Sequence, residues 1–148
     1  MQQTEDVEVA NRESYHDASS GQAVISITYL DGTSDQDPDG GGSVIAYAYH
    51  GSSIIMFGQR VDPSGGGLPL AGSVEETIRL HEVGHLLGLV DNGIDMVSDH
   101  RDEEHGSHDD NEDCIVYWAI NSANISDLMR SGQPDFDADM QAAGGLRR

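Results

Sequence analysis

The chain contains no lysine. Its seven basic residues are all arginine, against 27 aspartates and glutamates, and the formal net charge is −20 over 148 residues. Such a deficit of positive charge argues against a nucleic-acid binder or a peripheral membrane protein, because the surface repels phosphate backbones and anionic headgroups. Cysteine is nearly absent too. Cys114 stands alone, so no intrachain disulfide can form, and it reads as a small buried hydrophobe rather than a nucleophile. Long apolar runs are missing, and nothing approaches the roughly 20 residues of a membrane helix. The opening MQQTEDVEVANRE is too acidic and polar for a signal peptide. The expectation is a cytoplasmic protein, or a secreted one whose upstream segment is not in this chain.

The acidity is spread along the whole sequence instead of gathering in a tail. With lysine lost and aspartate abundant, the composition resembles that of proteins from extreme halophiles, in which concentrated salt screens self-repulsion. The length fits one domain over residues 1–148, large enough to bury a core without staples.

Alternation predicts a strand at 22–30, with Ile25, Ile27 and Tyr29 pointing one way and Val24 and Thr28 the other. Strands are also predicted at 43–50 and 53–58, with Gly51-Ser52 making a hairpin between them. Residues 4–16 are a candidate helix with Thr4 as N-cap, and 62–72 form a connection rich in glycine and proline. Ser73-Val-Glu-Glu76 is a capping box that opens a helix over 74–87, with Val74, Ile78, Val83, Leu86 and Leu87 on its apolar side and Gly88 to end it. Residues 91–113 hold ten acidic residues and no periodicity, and read as a long loop. Pro134 opens a predicted last helix to about Ala143. Asp35, Asp37, Asp39 and Gly40 have the opening spacing of a calcium loop, but Ala46 stands where a glutamate is needed, so a solvated acidic loop is expected. Tyr117 reads as a core or interface tyrosine, with donation to a developing oxyanion as the alternative, Trp118 as a core residue, and His16 and His50 as exposed.

The chemistry centres on HEVGHLLGLVD at 81–91. His81 and His85 lie four apart on a predicted helix and project from one face, a spacing that lets two imidazoles ligate one metal ion. Glu82, between them, is placed to act as general base on an attacking water. A catalytic zinc site wants a third protein ligand. Asp91, three residues beyond the turn at Gly88, is one candidate, and His108 in HDDNEDCIVYW is the other, with His100 and His105 behind them.

These residues resemble a family. HEVGHLLG is similar to the zinc-binding helix of the metzincin clan of endopeptidases, and Asp91 in the last position resembles the snapalysin variant. The segment from His108 is more similar to the archaemetzincins, in which a third histidine is followed six residues later by a cysteine and two further on by a methionine. His108, Cys114 and Val116 fall on those positions. The resemblance favours His108 as third ligand, with residues 91–107 inserted ahead of it and 91–113 forming an acidic insertion loop. It implies an α+β, zincin-like (metzincin) fold: a mixed β-sheet packed on an active-site helix, with a C-terminal helix, in a domain shortened at its N-terminus. It further implies bound Zn2+ and a peptide or protein substrate lying extended beside the edge strand 43–50. Two positions depart from the pattern. Asp109 replaces a cysteine, and Val116 replaces the methionine that forms an apolar floor under the metal. The expected activity is that of a zinc-dependent endopeptidase. The alternative is a degenerate, non-catalytic metal-binding or interaction protein of the same fold.

The composition carries one test of its own. At low ionic strength the Debye length reaches roughly 30 Å, enough for most of the excess charges in a domain this size to repel one another. The thermal midpoint should rise markedly between dilute buffer and molar salt. An unchanged midpoint would remove the halophile comparison.

Overall fold

Three short runs rich in β-branched and aromatic residues form the sheet in the computed structural model, which describes residues 9–10, 21, 23–32, 34, 44–61, 71–121 and 132–138. The strands are β1 (Ser26–Leu30), β2 (Ala46–Tyr49) and β3 (Ser53–Phe57), in the order β1-β3-β2. β3 is central, parallel to β1 and antiparallel to β2. Its sequence SIIMF is buried throughout, as a strand covered on both faces requires. β1 alternates, leaving Ile27 and Tyr29 exposed on one face. The β2–β3 hairpin turns through His50 and Gly51, both with positive φ (51° and 70°), so the turn begins one residue earlier than Gly51-Ser52.

A short helix, α1 (Gly58–Val61), follows the sheet, and the long helix α2 spans Ala71–Leu86. α2 begins ahead of the predicted capping box, so Ser73 lies inside its first turn rather than at its cap. Val74, Thr77, Ile78, His81 and Glu82 recur at helical spacing and are all buried. Val74 and Ile78 join Ile45, Ala46, Ile54, Met56 and Ile120 in the core between helix and sheet. Leu87 leaves the apolar side assigned to it and is 42% exposed. Nine positions beyond Ile78, at about 100° per residue, it comes out on the opposite side of the helix axis.

Gly88 ends α2 as predicted, with φ +77°. Its amide bonds the His85 carbonyl and the Leu89 amide bonds that of Gly84, the paired closure of a Schellman turn. The next reversal is more costly, because Val90 and Asp91 also adopt positive φ (55° and 54°), which a β-branched residue rarely does. Beyond it, residues 91–117 contain turns and isolated bridges, Arg101 with Asp109 and Asp109 with Tyr117, in place of strands. Within this stretch Asp95, Val97, Ser98 and Asp99 are exposed.

A second apolar cluster, Leu89, Val90, Cys114, Ile115 and Val116, lies against the end of α2. Cys114 is fully buried there, and burial pushes its thiol up to about 12, consistent with the inert hydrophobe expected. Trp118 departs from its core assignment. It is half-buried at the start of a 3-10 turn (Trp118–Asn121) and stacks on the His105 ring at 4.1 Å. The predicted helix does not open at Pro134, although Ala138 within its range is helical. Residues 133–137 are not helical, because Asp135 pairs with Cys114 and accepts the Ile115 amide, and that pairing needs extended backbone. Apart from the helical pair Val9–Ala10, the proposed helix 4–16 lies outside the described residues, as do Asp35–Gly40, most of the 62–72 connection and 139–143.

Gly84 controls the approach of the second cluster to α2. A Cβ there would lie 2.8 Å from Val116 Cγ2 and 3.4 Å from Phe136. Gly84→Ala should therefore lower stability by about 1–3 kcal/mol, the cost of overpacking, despite alanine's better helix propensity. Gly72→Ala, where nothing lies within 4 Å, is the control and should show no loss. Denaturant unfolding of both variants checks the pair.

Candidate metal centre

The HExxH spacing places His81 and His85 one turn apart on α2. Their rings meet edge to face with centroids 4.8 Å apart, and their Nε2 atoms are 3.1 Å from one another. Two nitrogens bound to one tetrahedral zinc at ~2.0–2.1 Å stand about 3.3–3.4 Å apart, so the pair is already close to ligating separation. The third ring comes from the loop. His108 lies 5.3 Å from His81 and 4.9 Å from His85 between ring centroids, and the three residues each present a ligand atom within 4.8 Å of the others.

Two backbone carbonyls aim these rings. The Nδ1–H of His81 donates to Ile115 (2.8 Å), and that of His108 donates to His105 (2.6 Å). With Nδ1 carrying the proton, each ring turns the Nε2 lone pair outward, the arrangement that fixes a metal-binding tautomer. Burial favours the neutral rings. It lowers His81 well below the usual histidine range, with the neighbouring His85 and His108 adding to the effect. Burial first, then His108, brings His85 down to about 4, and burial also lowers His108. Three neutral, convergent imidazoles could hold a metal ion.

Glu82 is 1% exposed, and burial pushes its carboxyl up to about 8, against a hydrogen bond from the Ala48 amide. Ala48 belongs to β2, which lies at the sheet edge among the described strands, so the edge strand and the glutamate meet directly.

The other ligand candidates lie elsewhere. Asp91 has a positive φ, is not among the residues grouped with the triad, and pairs with Arg101 at 3.1 Å. His105 bonds Asp102 and stacks on Trp118, so it serves the centre only through its carbonyl. His100 is buried against Asp109. Val116 is fully buried and packs closely against Gly84. The Ile115 and His105 carbonyls and the Ala48 amide were beyond sequence reasoning, because backbone groups leave no trace in residue identity.

These features define an α+β unit, a mixed three-stranded sheet packed on one helix, with a histidine triad at the helix end. Comparison with family models, curated proteins and solved structures finds no match.

In metal-free protein the buried groups set a two-sided pH dependence. Glu82 is raised when folded, so its contribution is intact in acid and is lost as pH rises from about 4.5 through about 8. His85 is lowered when folded, so its contribution is lost as pH falls from about 6.5 towards about 4. With chelator present, thermal midpoints measured from pH 5 to 9 should fall on both sides. Glu82→Gln should flatten the alkaline limb and steepen the acid limb, because in wild type the Glu82 loss between about pH 4.5 and 6.5 offsets the His85 gain over the same range.

Proposed function

We propose that the chain is a zinc-dependent endopeptidase of the metzincin type, holding Zn2+ through His81, His85 and His108. The observation that carries the reading is the convergence of three neutral imidazoles beside a buried glutamate that hydrogen-bonds an edge strand. Zinc bound by three imidazoles supplies Lewis acidity, which polarises a carbonyl and lowers the pKa of water towards ~7.

The chain's own groups do the rest. Glu82 follows His81 directly, and the positive charge of a metal at the triad would favour its carboxylate form. As carboxylate it accepts a proton from the attacking water and returns it to the leaving amine. A substrate strand added to β2 would gain main-chain hydrogen bonds and come alongside Glu82, whose carboxyl already meets that strand at Ala48. Nothing in this arrangement selects particular substrate side chains.

One observation favours the second reading, a metal-binding protein without catalysis. Glu82 is almost completely buried, whereas a general base must reach water and substrate.

Hydrolysis of a casein-type substrate in high salt, measured together with bound zinc, separates the two. Under the peptidase reading, Glu82→Gln loses hydrolysis by at least 100-fold while keeping its zinc, since the amide preserves shape but cannot take the proton. His108→Ala should lower zinc affinity by orders of magnitude, and Asp91→Asn should leave it within a few-fold. Wild-type protein that binds zinc and hydrolyses nothing would establish the second reading. A reversed ranking of His108 and Asp91 would reassign the third ligand.

A further inference from the structure

His108 is held differently from the other two imidazoles. His81 and His85 ride on α2, whereas His108 stands in the stretch 91–117, where turns and isolated bridges replace strands. Its ring is aimed by the His105 carbonyl, and residues 103–106 around that carbonyl are exposed. Exposed turns open readily, so a carbonyl that orients a metal ligand from such a turn must itself be held.

Asp102 supplies one hold from within the turn. Its carboxylate accepts the Glu104 amide at 2.8 Å, the His105 amide at 3.2 Å and the His105 ring Nδ1–H at 2.7 Å. The Asp102 amide donates to the His108 carbonyl at 2.8 Å, and Arg101 Nε donates to the Gly106 carbonyl at 2.9 Å. These bonds join residues 101–108 to one another. They shape the turn without tying His105 to the body of the protein.

Trp118 supplies that tie. The His105 ring lies parallel to the indole, with centroids 4.1 Å apart and planes 6° apart, a stack of two flat aromatic faces. Trp118 stands two positions beyond the buried Val116, so it takes its place from the segment whose Ile115 carbonyl aims His81. Tyr117, with its ring centroid 5.8 Å from that of Trp118, packs against the core between helix and sheet and anchors the indole to it. Trp118 itself is half-buried and joins neither apolar cluster of the described residues, which sets it apart from a side chain that serves the core.

We infer that Trp118 is a positioning residue for the metal centre. Stacked on His105, it holds the carbonyl that fixes the tautomer and direction of His108. The path runs from the indole through the His105 ring and backbone to the His108 Nδ1–H, and it rests on His108 being the third zinc ligand proposed above. What the path needs at position 118 is a flat aromatic face. An aliphatic side chain fills space there but leaves the His105 ring without its stack.

The Zn2+ affinity of the full chain in high salt, read by competition with a chromophoric chelator, tests this role. Trp118→Leu should weaken binding by about 10-fold, the low end of what losing an outer partner of a metal ligand costs. Trp118→Phe, which keeps a flat face, should recover most of the loss. His105→Ala removes the other ring of the stack from an exposed position and keeps the carbonyl. It should weaken binding to a similar extent, and adding Trp118→Leu to it should cost nothing more. In the His108→Ala background, Trp118→Leu should leave the residual affinity unchanged. A loss of equal size in that background would show general damage to the fold and overturn the role. So would Trp118→Phe as weak as Trp118→Leu, or His105→Ala as tight as wild type, and the His105→Ala arm decides the matter if Trp118→Leu does not fold. His108→Ala with wild-type affinity would remove the ligand and this role together. Trp118→Leu with wild-type affinity, beside a weakened His108→Ala, would remove the role and leave the ligand in place.

Discussion

The approach of residues 114–116 to α2 at Gly84 is the contact on which the rest of the centre depends. Only a glycine lets Val116 come so close to the helix, and three alignments follow from that depth. The Ile115 carbonyl reaches His81 Nδ1 and orients the ring. The Val116 carbonyl accepts the Asp109 amide at 3.1 Å, which brings the return arm of the loop across the end of the helix. His108, one residue before Asp109, is thereby carried to the other two rings. A side chain at position 84 would act on the triad from beneath, through packing alone.

Burial then acts on the same residues electrostatically. Apolar surroundings keep His81 and His85 neutral, as metal ligands must be, and hold a proton on Glu82, as a base must not. These two demands conflict in the metal-free protein and agree once a cation is near, because a positive charge favours both the lone pairs and the carboxylate. Metal binding and glutamate ionisation are thus coupled, and loading the site should release a proton.

Local pattern made the helix legible. His81, Glu82 and His85 could be placed on it from spacing alone, and the glycine stop and the hairpin were readable for the same reason: each depends on a few adjacent residues. His108 was nominated by resemblance rather than periodicity, and the structure brings it to the two helix histidines. What escaped was long-range. Pro134 is a plausible helix opener in isolation, but pairing with Cys114 holds the segment around it extended. Leu87 fits an apolar stripe until the helix is wound and it emerges on the far side. His100 sat in a stretch without periodicity, so its burial against Asp109 left no signal in sequence order.

The exposed run from Val97 to Asp99 gives the molecule a natural seam. The sheet, α2, His81 and His85 lie on one side of it, and His108 with the Ile115 carbonyl lies on the other. The two sides adhere through buried contacts, those of Leu89 and Val90 with Cys114, Ile115 and Val116, which do not run through the seam. A chain nicked there becomes two polypeptides that each carry an incomplete set of imidazoles. Such a pair regains a shared centre by reassociating, so the site itself would report fragment complementation.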